Sequence, residues 1–434
     1  MRILHTSDWH LGQIWNGRSR KQESVAFLDW LLELLKSQSV DVLIVAGDIF
    51  DTGTPGPESQ MLYYRFLQQV SSVCRATVII AGNHDSPAFL DAPKILLREL
   101  NIYVIGIAGQ AEDEIIVVNN SDQEPAMIIA AVPFLRDRDI RISETGESSE
   151  EKENQCIVGI RRHYEQVCAA AETIRRNINR TIPLVVTGHL FVAGGKTSER
   201  VRDIHVGTLG QLGNDIFPNE IDYLALGHLH IPQTVAHQTS RRYSGSPIPM
   251  SFDEAGQKKF VFHVDFDGRT PTVEPISVPV FSKIVRIEGD FEKICETLTD
   301  PELQNKLPET AVESDIFVEI ICTGTQPEPD LIRKINDIVT EVNETIFAKK
   351  EKIIVIRIRY DRFATSTPLR TAAPEKLEDL NPVIIFERLL ENVHKKDEKN
   401  ISERKNELML AYKEILDACY LHTEIDTEIN NLNK

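Results

Sequence analysis

Across residues 1–278, short apolar runs alternate with stretches whose apolar positions recur every three or four residues. The runs RILHT (2–6), VDVLIVAGD (40–48), ATVIIAGN (76–83), MIIAAVPF (127–134), PLVVTGH (183–189) and DYLALGH (222–228) are mostly continuous and β-branched, as strands buried on both faces must be. Between them, 25–36, 59–73 and 156–178 carry helical spacing, and the last aligns Ile157, Ile160, Tyr164, Val167, Ala171, Ile174 and Ile178 on one stripe. Strands alternating with helices predict a layered α/β domain. KKFVFHVDFDG and TVEPISVPV read as its closing hairpin, and the polar stretch SETGESSEEKEN (143–154) as a surface loop.

A Pro-rich boundary at 275–279 separates this domain from a second pattern. There 283–288, 291–298, 315–322, 330–346 and 352–359 read as strand, helix, strand, helix, strand, a compact βαβαβ unit within 279–362. Residues 363–434 begin with the linker-like STPLRTAAPEKLEDLNP. Two amphipathic helices are expected after it, 383–395 (Ile384, Ile385, Leu389, Val393) and 408–421 (Leu408, Ala411, Tyr412, Ile415, Cys419). Such helices either pack on their own domain or dock a partner, and the pattern leaves both open.

Composition narrows the class. With 434 residues, 41% hydrophobic and 26% charged, the chain has the balance of a soluble globular protein of two or three domains. No apolar run approaches the ~20 residues of a membrane span, and the opening MRILHTSDWH enters a strand without a signal-peptide core, so a cytoplasmic, non-membrane protein is expected. Six scattered cysteines without a CxxC pair read as reduced thiols. The net charge of −18 argues against a protein that grips nucleic acid by itself. A nuclease with this balance needs a local basic strip, bound cations or a partner.

The candidate chemistry lies where the strands end. SDWH (7–10), AGDIFD (46–51), AGNHD (81–85), TGH (187–189) and LGHLH (226–230) all turn polar there, four of them immediately after a glycine. Glycine permits sharp reversal and close backbone approach, and sites in α/β sheets assemble at carboxyl strand ends. A lone DxH, GD or GH is more often a turn or a satisfied core residue. Together they place His10, His84, His189, His228 and His230, five of twelve histidines, at such ends in one domain.

Asp8, His10, Asp48, Asn83, His189, His228 and His230 form a set of seven oxygen and nitrogen donors with no thiolate. That exceeds a single zinc site and suits two divalent ions about 3.5–4 Å apart that clamp a phosphoryl group. Asp48 is the natural bridge. Asp8, His10 and His230 would complete one site, and Asn83, His189 and His228 the other. Hard oxygen with imidazole favours Mn²⁺ or another first-row ion over Ca²⁺. An activated water would attack phosphorus in line, with an imidazole outside the ligand set serving the leaving oxygen.

These five motifs, in this order, resemble the signature of the calcineurin-like metallophosphoesterases. More narrowly, HTSDWHLG, AGDIFDTGTP, AGNHDSP, RDIHVGTL, LALGHLHIPQ and YSGSPIPMSFDE are similar to the SbcD family, nuclease subunits of bacterial SbcCD complexes. The resemblance implies an α/β fold: a layered β-sandwich core flanked by helices, a small α+β capping domain, and C-terminal helices that bind a coiled-coil SbcC-type ATPase. It maps the metal ligands onto Asp8, His10, Asp48, Asn83, His189, His228 and His230, and the catalytic histidine onto His84. It also implies exonuclease and endonuclease action on duplex and hairpin DNA in recombination, replication and repair. The expected assembly is a homodimer within a heterotetramer.

An ATPase partner would supply the DNA affinity that the acidic charge lacks. Arg18, Arg20, Arg136, Arg138 and Arg141 are candidate phosphate contacts, with solvated surface arginines as the equal alternative. MLYYRFL (61–67) carries more aromatic weight than a surface helix needs, which points either to a homodimer contact or to intradomain core. His5, His205, His237 and His263 read as structural or surface residues. The competing function is a phosphodiesterase or phosphatase acting on small-molecule or protein phosphoesters, since the metal motifs alone do not name the ester. A non-catalytic scaffold is disfavoured by the complete ligand set.

Overall fold

The computed structural model describes residues 1–360 apart from 16, 141–147, 193–194, 199–211, 301–302, 304–306, 313, 324–329 and 346–351, together with 386, 408, 409 and 412. The chain divides into two compact units, Met1–Asp361 and Arg362–Lys434.

In the first unit the strands are β1 (Arg2–Thr6), β2 (Ile14–Trp15), β3 (Arg18–Ser19), β4 (Val42–Ala46), β5 (Ala76–Ile80), β6 (Ile102–Ile105), β7 (Ile115–Asn119), β8 (Pro125–Ala130), β9 (Leu184–His189), β10 (Tyr223–Gly227), β11 (Gln233–Val235), β12 (Gln238–Tyr243), β13 (Phe260–Asp267), β14 (Thr270–Ser277), β15 (Lys283–Gly289), β16 (Ile316–Cys322) and β17 (Ile353–Tyr360). One six-stranded sheet runs β14-β13-β1-β4-β5-β6, and the other β11-β12-β10-β9-β8-β7. The central strands β1, β4 and β5 are parallel, as are β8, β9 and β10. The predicted hairpin is present as antiparallel β13 and β14.

The central strands of both sheets are buried on both faces, which is why they read as continuous apolar runs. Ile3, Val42, Ile44 and Val78 of one sheet meet Ile129, Val185 and Ala225 of the other in a shared layer. The alternate residues Leu4, Leu43, Val45 and Ile79 pack instead against the helices Lys21–Ser37 and Pro57–Val70. Ile128, Val186 and Leu224 do the same against the helix Ser149–Ile178. The result is four layers, helix–sheet–sheet–helix.

One expectation differs from the observed fold, and for MLYYRFL the burial supports the intradomain-core alternative. The long helix starts at Ser149, so it takes in the second half of the stretch expected to be loop. Ser148 caps it, and Glu151 accepts a hydrogen bond from the Ser148 N–H at 2.8 Å, a capping box. The aromatic weight of MLYYRFL is mostly internal: Tyr63, Phe66 and Leu67 are buried, and the Tyr63 ring meets Phe50 at 5.2 Å.

The βαβαβ unit is a parallel three-stranded sheet, β15-β16-β17. The helices Phe291–Thr299 and Leu331–Thr345 cover one face around Ile294, Leu298, Ile335 and Val342. Its opposite face meets the larger domain through Ile284, Ile356 and Phe252. In the second unit the described rings Phe386 and Tyr412 stack at 4.0 Å, one from each segment expected to be helical. Apart from 408 and 409, the rest of 363–434, where a linker and docking helices are expected, lies outside the described residues. Among the described residues, no helix is long and apolar enough to cross a membrane.

Candidate metal centre

Every candidate ligand follows a central strand. Asp8 and His10 follow β1, Asp48 follows β4, Asn83 and His84 follow β5, His189 ends β9, and His228 and His230 follow β10. The loops are locked together by their backbones: Asp8 N–H donates to Gly47 O at 3.0 Å and His10 N–H to Asp48 O at 3.0 Å. His228 N–H donates to Asp8 Oδ1 at 3.0 Å, joining the two sheets. Asp8, His10, Asp48 and His228 all have positive φ (54°, 47°, 50° and 100°), a conformation costly for residues with a side chain. Such strain clusters at functional sites, where the surrounding structure enforces it.

Glycine is required by proximity as well as by turning. A Cβ on Gly82 would strike Asp48, and one on Gly227 would strike the Ala46 carbonyl. The glycines before the polar residues therefore let neighbouring strand ends touch.

Potential ligand atoms of Asp8, His10 and His230 lie within 4.8 Å of one another, as do those of Asp48, His189 and His228, and those of His10, Asp48 and His84. Asp48 Oδ2 is 3.6 Å from His10 Nε2 and 3.2 Å from His189 Nε2, so it faces both sides of the site. Asn83 Oδ1 lies 3.0 Å from His189 Nε2 and 2.9 Å from His228 Nδ1. His189 Nδ1–H donates to Ala46 O at 2.9 Å, which leaves Nε2 facing Asp48. Imidazoles and carboxylates converging without thiolate could hold two first-row or hard divalent ions.

The electrostatics follow from burial. Burial alone would raise the pKa of Asp48, but His189, then His10 and His84, hold it well below the carboxylate range. Burial alone would lower that of His189, and the facing Asp48 overcomes this and raises it. Asp85 is buried beside Asp48, and both effects push its carboxyl up to about 6. Against them work three N–H groups: Gly82 at 2.8 Å, Phe50 at 2.9 Å and Ile49 at 3.1 Å. Asp85 thus ties the loop after β5 to the loop after β4.

His84 is part-buried beside the ligand set. Its backbone N–H donates to Asp48 Oδ1 at 2.9 Å, and its ring Nδ1–H to Asp51 O at 3.0 Å, so Nε2 is the ring nitrogen that takes no part in this bond. Its ring stands edge-on to that of His10 at 4.9 Å.

The arginine candidates separate. Arg20 is buried: its guanidinium pairs with Glu23, donates to Gln13 Oε1 at 2.7 Å and to the Pro249 carbonyl, and covers the Trp15 ring at 4.0 Å. It is a structural residue, which corrects its candidacy as a phosphate contact. Arg18 and Arg138 are exposed, and Arg138 lies 3.6 Å from Asp139. Arg136 is half-buried and donates to Asp85 O at 3.0 Å, at the rim of the site. Arg141, His205 and the motif RDIHVGTL lie outside the described residues. His5 is buried against the Tyr223 hydroxyl at 2.9 Å, and His237 is exposed.

Three contributors lie outside the set of candidate ligands. Ser7 Oγ donates to Asp8 Oδ2 at 2.5 Å. Glu254 Oε1 lies 3.5 Å from His230 Nδ1, and Lys259 Nζ donates to the His230 carbonyl at 3.1 Å. The signal for the last two is charge inside otherwise apolar surroundings, SPIPMSFDE and KFVFHV, the first within a stretch that also carries the family resemblance.

Comparison with known proteins agrees with this geometry. The family model of calcineurin-like phosphoesterases matches residues 1–232, more than half of the chain, so the fold is that of this family and the chain is a metal-dependent phosphoester hydrolase. The model described as the type 5 capsule protein repressor C-terminal domain matches residues 280–394. The SbcD subunit of the SbcCD nuclease of Escherichia coli strain K12 is 36% identical over 391 residues, covering 90% of this chain and 92% of that protein. The corresponding SbcCD nuclease subunit of Bacillus subtilis strain 168 is 37% identical over 269 residues, covering 61% of this chain and 66% of that protein. The chain belongs to the SbcD family of nucleases. Membership implies divalent metal ions, and the donor groups described above fit them.

Proposed function

We propose that the chain is the DNA-cleaving subunit of an SbcCD-type complex, hydrolysing phosphodiesters of duplex and hairpin DNA with two Mn²⁺ ions. The observation that carries this reading is Asp48, whose one carboxylate lies 3.6 Å from His10 Nε2 and 3.2 Å from His189 Nε2. Asp8, His10 and His230 would hold one ion, Asn83, His189 and His228 the other, and Asp48 both. When bound, such ions neutralise phosphoryl charge and lower the pKa of water.

The chain's own residues supply the remainder. Asn83 adds an acceptor without adding negative charge beside Asp48. His84, its Nδ1–H held by the Asp51 carbonyl, presents Nε2 to protonate the leaving oxygen. Asp85 holds this loop against the one carrying Asp48. The domain division 1–278, 279–362 and 363–434 belongs to the same proposal: nuclease domain, cap, and a tail that docks an SbcC-type coiled-coil ATPase. The acidic chain then draws part of its DNA affinity from that partner. A second copy would dock through the exposed part of MLYYRFL, where Met61 is 64% accessible.

The test offers Mn²⁺ with a labelled hairpin duplex and with p-nitrophenyl phosphodiesters, with and without the ATPase and ATP. Cleavage of the hairpin supports the proposal. Turnover of the small ester alone, even with partner and ATP present, would favour the small-molecule phosphodiesterase. Truncation at residue 370 should abolish ATPase association and leave metal binding intact.

A further inference from the structure

Lys259 is buried, and its ammonium has three acceptors: Glu254 Oε2 at 2.5 Å, Ser246 Oγ at 3.1 Å and the His230 carbonyl at 3.1 Å. Lys259 immediately precedes β13 in one sheet, whereas His230 follows β10 in the other. Glu254 is fully buried, accepts the Met250 N–H at 3.0 Å, and brings its other oxygen to 3.5 Å from His230 Nδ1. The pair therefore grips His230 twice, by its main chain and by its ring. A buried ion pair is a weak device for stability, because desolvation offsets much of the attraction and apolar replacements are often neutral. What this one achieves geometrically is the placement of one imidazole.

Glu254 also belongs to the one-turn 3₁₀ helix Phe252–Glu254. Phe252 is buried against Ile284 of β15 and Ile356 of β17, and its ring lies 4.9 Å from Trp15. The seat of the small domain and the brace of His230 are thus opposite ends of a single turn. Beside that seat, the stretch 278–282 joining the two domains and the loop 247–249 line a cavity of about 280 Å³. A small apolar seat next to open space can shift without disturbing either core.

We propose that Glu254 is the positioning residue for His230, and that the Phe252–Glu254 turn transmits the seating of the small domain to one half of the metal centre. The inference rests on the reading of His230 as a metal ligand. Displacement of the small domain would loosen the ion held by Asp8, His10 and His230, and leave the ion on Asn83, His189 and His228 unchanged.

The test titrates the full, metal-stripped chain with Mn²⁺ by calorimetry, alongside thermal unfolding. Phe252→Ala removes the seat without touching His230. Glu254→Gln removes the charge but keeps a side chain that can receive the Met250 N–H. The expected result is that each variant weakens one of two ions by about 10–100-fold, the usual effect of losing an outer-shell partner, with the second ion unaffected. Phe252→Leu, which keeps an apolar seat, should restore the weakened ion. Wild-type affinity for both ions in folded Phe252→Ala and Glu254→Gln would overturn the proposal, whatever their melting temperatures. Fewer than two ions on the wild-type chain would overturn the two-metal reading itself, and this inference with it.

Discussion

The backbone N–H of His84 donates to Oδ1 of Asp48 at 2.9 Å, while Oδ2 of the same carboxylate faces His10 and His189. One side chain thereby joins the candidate metal centre to the loop that carries the proposed acid. His84→Ala should keep two ions by calorimetry and lose about 10²–10⁴-fold in cleavage, the usual contribution of a general acid. Asp48→Asn should weaken both ions together. Loss of an ion in His84→Ala would make His84 a ligand, a role within reach since its ring nitrogen lies within 4.8 Å of donors on His10 and Asp48.

Asp85 receives three main-chain N–H groups from two loops. Asp85→Ala leaves all three buried without an acceptor, so a loss of at least about 1–3 kcal/mol is expected in urea unfolding. Asp85→Asn retains one acceptor oxygen and should lose less. Cleavage should fall in the same order, because the loop also positions His84. An alanine variant with wild-type stability and rate would refute the anchoring role.

His5 titrates in the direction of a buried neutral imidazole. Burial first, then Arg242, lowers its pKa from 6.5 to about 3. Between those values the unfolded chain binds a proton that the folded chain refuses. The resulting stability is complete above pH 6.5 and is lost progressively as pH falls toward 3. His5→Phe should flatten the stability–pH slope between about pH 4 and 6 by up to one proton, as read from denaturant midpoints across pH. An unchanged slope would remove His5 from the acid response.

Arg20 sits in a buried ion pair with Glu23, so Arg20→Ala leaves a carboxylate without its charge partner. Such truncations cost about 3–5 kcal/mol. The salt dependence of DNA binding by the folded variant should match the wild type, since Arg20 neutralises no phosphate. Intact stability with a shallower salt slope would reverse the assignment.

Much of the nuclease domain is legible along the chain because its central strands are buried on both faces. Continuous apolar runs then end abruptly at Asp8, Asp48, Asn83, His189 and His228, where the residue type reports the site. The start of the long helix is harder to see. Its first two turns carry no apolar stripe, and only the capping pair Ser148 and Glu151 marks its origin. Arg20 looks like a rim arginine until Glu23, Gln13 and Pro249 are brought around it by folding. Glu254 and Lys259 stand out only as charges in apolar surroundings, and nothing local says that they reach His230. Nor does the sequence mark the left-handed backbone of Asp8, His10 and Asp48, which the interlocked loops impose.

The most direct measurement is anomalous diffraction from crystals of the chain grown with Mn²⁺. Two peaks are expected, about 3.5–4 Å apart as in other two-metal sites, with Asp48 between them. Asp8, His10 and His230 should flank one peak, and Asn83, His189 and His228 the other. A single peak, or two peaks that Asp48 does not touch, would contradict the Asp48-bridged two-metal centre.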